Sequence, residues 1–165
     1  MKADLHNHSY YSDGLLSPSE VVRLASKASC DLFSLTDHDT TDGIAEAKLE
    51  ADKVGLNVIN GVEISAFWRN MTIHIVGLGV DVNNDILQAG LEHNKNLRKI
   101  RAEKIALSLR RSGIRNALEK AQTMSGGHML TRTHFAQMLI QEGYCKDMKS
   151  VFRRYLTGKK PGGVR

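Results

Sequence analysis

The chain has 165 residues, of which 41% are hydrophobic and 25% are charged. This composition is typical of a globular domain that buries a core without disulfides. The net charge is +5, and the two cysteines, Cys30 and Cys145, fall in no metal or redox motif. No apolar run approaches the ~18 residues that span a bilayer, and no secretory signal is present. We therefore expect a cytoplasmic protein with reduced thiols and no membrane contact.

Strands and helices alternate at the start of the chain. The stretch Ser17-Pro18-Ser19-Glu20 predicts a helix start, because it combines a capping box with a proline suited to the first turn. The predicted strands are 3–5, 31–35, 56–59 and 71–78, and the predicted helices between them are 17–28 and 43–54. Short connections favour parallel strands with crossover helices, in an open sheet or a barrel.

From residue 81 the pattern becomes helical, with one or two helices predicted over 83–111 and single helices at 115–124, 131–141 and 146–156. The first of these carries most of a basic segment, whose cations are Lys95, Arg98, Lys99, Arg101, Lys104, Arg110, Arg111 and Arg115. Such a segment can attract phosphates or nucleic acid. A solvated helix face is the more usual explanation of a charge run, and the lack of aromatics argues against base stacking.

The first strand carries the strongest chemical signal. His6 and His8 are two residues apart, so in a strand both imidazoles point to the same side and can approach one ion. Asp13 adds a carboxylate in the next turn. A lone histidine is more often structural, but this combination favours a metal site.

Three further candidates lie near later strands. His38 stands between Asp37 and Asp39, and either aspartate could hold its second ring nitrogen or cap the following helix. Glu63 comes after a strand, where a carboxylate can bridge two ions. His74 interrupts an apolar strand, and taken alone it would be interpreted as a buried structural histidine.

His134 lies near a predicted helix start, two residues after Arg132, whose guanidinium could clamp a phosphate oxygen. His93 and His128 have no supporting context and are predicted to be surface residues. No Gly-x-Gly-x-x-Gly, Walker or nucleophile-elbow sequence occurs. The remaining nitrogen and oxygen donors suit Mn²⁺, Zn²⁺ or Fe²⁺ and hydrolytic chemistry.

The order of these motifs resembles the PHP family, named after polymerases and histidinol phosphatases. The opening Asp-Leu-His-x-His-Ser-x-x-Ser-Asp-Gly is specific to that family. Residues 131–136 and 155–161 look closest to its branch of bacterial 3′,5′-nucleoside bisphosphate phosphatases, also described as 5′-to-3′ exoribonucleases. The resemblance implies an α/β fold that forms the N-terminal part of a distorted (β/α)7 PHP barrel. Residues 1–80 would begin the barrel, 81–127 would be a helical insertion, and 128–165 would return to the barrel.

The resemblance also implies up to three divalent ions, with manganese favoured over zinc or iron. The implied ligands are His6, His8 and Glu63 for one ion, His74 and His134 with Glu63 for a second, and Asp13 with His38 for a third. Asp13 and His38 would in addition support catalysis by metal-activated water. Arg132 and the basic segment would receive a second substrate phosphate.

The activity implied by the resemblance is metal-dependent removal of the 3′-phosphate from 3′,5′-bisphosphonucleotides, converting pAp to AMP, and degradation of short RNA from its 5′ end. Histidinol phosphatase activity is one alternative, although a small amino alcohol phosphate gives little reason for so many cations. A non-catalytic metal-binding or interaction module is another.

The family has further ligands in its C-terminal part, including an Asp-x-His pair, and this sequence lacks them. We therefore expect the chain to be the first part of a longer protein, with an incomplete barrel. Metals that share the missing ligands should then bind weakly, and the chain should have low activity. Open barrel edges should also favour self-association.

Overall fold

The computed structural model describes residues 1–69 and 71–164. The chain divides into two compact units, Met1–Lys95 and Asn96–Arg165. The elements wholly in the first unit are β1 (Ala3–Asn7), α1 (Pro18–Lys27), β2 (Leu32–Leu35), α2 (Ile44–Val54), β3 (Asn57–Val58), β4 (Gly61–Trp68) and β5 (Met71–Leu78). Helix α3 (Asp85–Arg111) begins in the first unit and continues into the second. The remaining elements are α4 (Ala117–Met124), α5 (Arg132–Gln141), α6 (Met148–Val151) and a π-helical turn (Phe152–Leu156).

The strands of the first unit form two sheets. β1, β2 and β3 are parallel and lie in that order, with Ala3 opposite Leu32 and Leu32 opposite Asn57. β4 and β5 form an antiparallel pair. The prediction of parallel strands is therefore wrong for this pair. Only two residues separate β4 from β5, which is enough for a hairpin but too few for a crossover helix.

Helices α1 and α2 pack on the parallel sheet because each presents an apolar stripe with helical spacing. The predicted capping box is present, with Ser17 and Glu20 bonding each other's backbone N–H groups. Helix α2 ends at Gly55, whose φ of 69° is readily adopted only by glycine. The buried core of this unit consists of Val22, Ala25, Phe33, Leu35, Ala47, Ala51 and Leu56.

The second unit is helical and has its own core, to which Ile105, Leu109, Phe135, Met138 and Leu139 contribute. The predicted helix 115–124 begins later, at Ala117, because Asn116 before it has a left-handed φ of 55°. The predicted helix 146–156 is divided into α6 and the π-helical turn. The three-part division into 1–80, 81–127 and 128–165 stays a prediction.

No helix in the described residues has the length and apolarity needed to cross a membrane. Cys30 is half-buried and Cys145 is buried, and both are free thiols.

Candidate metal centre

The candidate centre begins at the end of β1. The strand ends at Asn7, so His6 lies in β1 and His8 is the first residue after it. The backbone N–H of Thr36 donates to the Asn7 carbonyl at 2.9 Å, which keeps this end of β1 beside β2. The ring centroids of His6 and His8 are 5.2 Å apart. The two imidazoles therefore lie together, as the i, i+2 spacing predicted.

Glu63 lies among the imidazoles. The prediction that it follows a strand is wrong, because pairing with β5 extends β4 through this position and beyond it. Its Oε2 is 2.7 Å from His6 Nε2 and 3.0 Å from His8 Nε2, and its Oε1 is 2.7 Å from His74 Nδ1. The side chain is only 6% exposed. A nearly buried carboxylate thus faces three ring nitrogens.

The surroundings of Glu63 also set its charge. Burial acts to raise its pKa, but the hydrogen bond with His6, the charge of His38 and the hydrogen bond with His74 outweigh it. The pKa of Glu63 is therefore held below its ordinary value. The carboxylate is ionised at neutral pH, which is the form that binds a cation.

The other two imidazoles complete the cluster. His38 follows β2, and its ring centroid is 4.7 Å from that of His8 and 4.6 Å from that of His74. The His74 side chain, on β5, is 40% exposed, so it is not the buried structural histidine that its apolar strand would suggest. Four histidines from three separate segments therefore form one group of neighbouring rings.

Asp13 supplies the second carboxylate. Its Oδ1 is 3.4 Å from His8 Nδ1, and its Oδ2 is 3.9 Å from His38 Nε2. Three sets have ligand atoms within 4.8 Å of one another: His6 with His8 and Glu63, His8 with Asp13 and His38, and His38 with Glu63 and His74. Six of the seven predicted ligands are thus brought together in the first unit.

This donor set fits a divalent transition metal ion. Imidazole nitrogens and carboxylate oxygens are the ligands that Mn²⁺, Zn²⁺ and Fe²⁺ accept in proteins. The two carboxylates face ring nitrogens and supply the negative charge that a cation requires. Glu63 belongs to two of the three sets, and its two carboxylate oxygens would permit it to bridge neighbouring ions.

Asp37 supports the centre without belonging to it. It accepts hydrogen bonds from the backbone N–H and hydroxyl of Ser9, at 2.7 and 2.6 Å, and from the hydroxyl of Ser12 at 2.6 Å. Burial raises its pKa despite these bonds. These hydrogen bonds fix the loop between His8 and Asp13. The sequence had instead suggested that Asp37 holds a ring nitrogen of His38 or caps the following helix. The Ser-x-x-Ser spacing of Ser9 and Ser12 is the sequence feature that corresponds to this role.

His134 and Arg132 belong to the second unit, at the start of α5. The backbone N–H of Thr131 donates to His134 Nδ1 at 3.0 Å, so a neutral ring carries its proton on Nε2. Metal binding through Nε2 would require that nitrogen to lose its proton or the Thr131 bond to open. Arg132 is half-buried and donates to the Val164 carbonyl at 2.6 Å. The roles of His134 and Arg132 stay predictions.

The basic segment is not uniform. Lys99, Lys104, Arg110 and Arg111 are exposed on α3, as expected for a solvated helix face. Arg98 is instead buried, at 8% exposure. Burial and the charge of Arg98 lower the pKa of Arg132.

Comparison with known proteins identifies the class to which this fold and centre belong. The PHP domain family matches residues 4–160. The chain belongs to the PHP family. The predicted fold class, α/β and part of a PHP barrel, is confirmed by this match and by the structures described below.

Two curated relatives are similar over nearly the whole chain. The 3′,5′-nucleoside bisphosphate phosphatase of Chromobacterium violaceum is 45% identical over 162 residues, covering 98% of this chain and 57% of the relative. The 5′-3′ exoribonuclease Rnm of Escherichia coli is 42% identical, covering 98% of this chain and 56% of the relative. The chain therefore spans somewhat more than half the length of these relatives.

Solved structures give the same picture. An amidohydrolase from Chromobacterium violaceum, solved with bound sulfate and no metal, superposes with a TM-score of 0.93 at 43% identity. The match covers all of this chain and 58% of that one. A structure from Bifidobacterium adolescentis also gives a TM-score of 0.93, with the same coverage of both chains, but at 22% identity it shows the fold alone.

Proposed function

We propose that this chain provides the metal centre of a phosphoesterase that removes the 3′-phosphate from 3′,5′-bisphosphonucleotides, converting pAp to AMP. The observation that carries the proposal is the Glu63 carboxylate, which lies within 3.0 Å of nitrogens from His6, His8 and His74. The name of the Chromobacterium violaceum relative supports the substrate class. The proposed compartment is the cytoplasm, in keeping with two free thiols.

The proposed cofactor is Mn²⁺, with up to three ions held by the seven predicted ligands. When bound, such ions activate water and neutralise negative charge on a phosphoryl group. Glu63 is ionised and nearly buried, so it can hold two ions close together. Asp13 faces the rings of His8 and His38, at 3.4 and 3.9 Å, and we propose that Asp13 and His38 support catalysis beside the bound ions.

A bisphosphonucleotide carries a second phosphate that also needs a partner. We assign this role to Arg132 and the basic segment. Arg132 Nε is buried and has no hydrogen-bond partner among residues 1–69 and 71–164. A guanidinium with an unused donor is suited to a phosphate oxygen. The nearby charge of Arg98 adds to the attraction for an anion.

Phosphate release from adenosine 3′,5′-bisphosphate tests the proposal. The 165-residue chain, and any longer form that carries it, would be assayed with Mn²⁺ after metal content is measured by elemental analysis. We expect release by the wild type and loss of release in His8→Ala. His93→Ala is the matched control, because His93 is exposed on α3 and belongs to none of the three ligand sets. Absence of release from a longer form with confirmed metal occupancy would reject the proposal.

Degradation of short RNA from its 5′ end is a second proposed activity, supported by the name of the Escherichia coli relative. Turnover of 5′-labelled oligoribonucleotides would be compared with turnover of adenosine 3′,5′-bisphosphate and of L-histidinol phosphate. Faster turnover of L-histidinol phosphate would favour that alternative. Metal binding without hydrolysis of any of the three would favour a non-catalytic module.

We also propose that the chain self-associates through its antiparallel hairpin. Phe67, Trp68 and Met71 are 70%, 58% and 59% exposed, and Ile73 and Ile75 on β5 are also exposed. An exposed apolar strand of this length is a site for pairing with another chain. Light scattering should show an average molar mass that rises with protein concentration, and Ile75→Lys should reduce this rise. A constant monomer mass would contradict self-association.

A further inference from the structure

The turn after β2 runs beside β4 through three consecutive hydrogen bonds. The Asp37 carbonyl accepts the Glu63 N–H at 3.1 Å, and the Glu63 carbonyl accepts the Asp39 N–H at 2.9 Å. Asp39 Oδ1 then accepts the Ser65 N–H at 2.7 Å. The last of these bonds uses a side chain where a strand would use a backbone carbonyl. His38 and Glu63 are therefore held at a separation that depends on Asp39.

Asp39 itself has an unusual conformation. Its φ is 51°, in the left-handed region, and it is fully buried. Residues other than glycine pay a free-energy cost for this φ, although aspartate and asparagine tolerate it best. The hydrogen bonds of its carboxylate offset that cost. The position of the adjacent His38 thus depends on the contacts that hold the Asp39 side chain.

Asn94 makes two of the contacts in question. This residue lies on α3, and its Nδ2 donates to Asp39 Oδ1 at 2.8 Å and to the Ser65 carbonyl at 2.8 Å. One amide group therefore joins the turn to the strand. Two donors on one nitrogen are needed, which asparagine supplies and aspartate does not.

We propose that Asn94 is a positioning residue of the metal centre. Its amide keeps Asp39 against Ser65, and thereby fixes the distance between the His38 ring and the Glu63 carboxylate without touching either group. The inference rests on the proposed metal centre, but it does not depend on the substrate. Groups that hydrogen-bond a metal ligand directly typically contribute about 10–100-fold to metal affinity, and Asn94 acts one contact further away, so we expect an effect at the lower end of this range.

Binding of Mn²⁺ alone, measured by titration calorimetry and by the electron paramagnetic resonance spectrum of the bound ion, tests the role of Asn94. We expect Asn94→Ala to weaken binding by about 10-fold and to alter the spectrum. Asn94→Asp should weaken it further, because a second carboxylate would face Asp39 Oδ1 and the Ser65 carbonyl. Asn94→Ser keeps one donor, so its Mn²⁺ affinity should lie between those of the wild type and of Asn94→Ala. This variant also tests the inference if the other two do not fold.

Gln88→Ala is the matched control. Gln88 is also an amide on α3, and it donates to Thr41 Oγ1 at 3.0 Å and to the Val82 carbonyl at 2.7 Å, neither of which belongs to a ligand set or contacts Asp39 through this amide. Its loss should leave Mn²⁺ affinity and spectrum unchanged. Wild-type affinity in the Asn94 variants, or an equal loss in Gln88→Ala, would overturn the inference. A wild type that binds no Mn²⁺ would overturn both proposals, whereas one that binds Mn²⁺ but hydrolyses nothing would overturn the proposed function alone.

Discussion

Glu63 combines burial with ionisation, and the two are compatible because imidazole nitrogens contact both carboxylate oxygens. A buried carboxylate without such partners would take up a proton. Glu63 is therefore the carboxylate that contacts three of the imidazoles, and its negative charge is central to binding a cation. The side chains of His6 and His74 are partly exposed, whereas that of Glu63, on β4, is nearly buried.

Glu63→Gln keeps the shape of the side chain and removes its charge. We expect Mn²⁺ affinity to fall by more than the roughly 10–100-fold that is typical of supporting residues, since a ligand shared by two sets is lost. Titration calorimetry of the purified variant measures the change. Glu103→Gln, an exposed carboxylate on α3, is the control. Unchanged affinity in Glu63→Gln would show that the ion binds elsewhere.

Asp37 gives a prediction about pH. Burial raises its pKa above the ordinary value of 3.8, so between the two values the folded chain binds more protons than the unfolded chain. The contribution of Asp37 to the free energy of unfolding therefore falls as the pH rises through this range. Asp37→Asn removes that dependence. The free energy of unfolding of the variant minus that of the wild type should therefore increase from acidic to neutral pH. Urea unfolding of both metal-free proteins measures the difference, and a constant or declining difference would contradict the prediction.

At the scale of elements, β2 and β4 approach closely where β4 begins. A Cβ on Gly61 would lie 2.2 Å from Ser34 Oγ, 2.7 Å from Thr36 Cγ2 and 3.0 Å from the Leu35 carbonyl oxygen. The first two distances are shorter than real Cβ contacts and the third is tight, and two of the three neighbours are in a strand. Glycine at this position is what allows β4 to bring Glu63 beside the turn that holds His38.

Gly61→Ala should therefore destabilise the protein by about 1–3 kcal/mol, the usual cost of overpacking a core. Thermal and urea unfolding would measure the loss. Gly90→Ala is the matched control, because a Cβ there meets nothing within 4 Å and the residue lies inside α3. It should stabilise by up to about 1 kcal/mol. Equal effects from both substitutions would contradict this account of the β2 and β4 contact.

The sequence was informative about local elements and less so about pairing. Helix α1 was predictable from its capping box. The six candidate ligands that the structure brings together were predictable from two motifs and their neighbours. The β4 and β5 hairpin was not, because an apolar stretch does not indicate which strand it will pair with. The role of Asn94 was also hidden, since it depends on contacts with Asp39 and Ser65, which are 55 and 29 residues away in the chain.

At the scale of the whole molecule, the six gathered ligands come from four separate segments of the first unit. An ion that binds them links these segments only in the folded state. Binding to the folded state alone raises its stability by RT ln(1 + [L]/Kd), about 2.7 kcal/mol when the ion is present at 100 times Kd. The second unit has a separate core.

Calorimetric melting with and without Mn²⁺ tests this linkage. We expect Mn²⁺ to raise the melting temperature of the first unit, and EDTA or His8→Ala to abolish the increase. If Mn²⁺ also raises the melting temperature of the second unit in the wild type, and this increase is lost in His134→Ala, the result would support His134 as a ligand. Melting temperatures that do not respond to Mn²⁺ would contradict a metal centre in this chain.

The left-handed backbone of Asp39 has a consequence for natural variation. A single base change in an aspartate codon gives asparagine or glycine, and both tolerate a φ of 51°. Asparagine also retains an oxygen that can accept from Ser65 and Asn94, whereas glycine does not. Saturation mutagenesis under selection for activity should therefore recover asparagine as the commonest replacement at this codon, and exclude β-branched residues altogether.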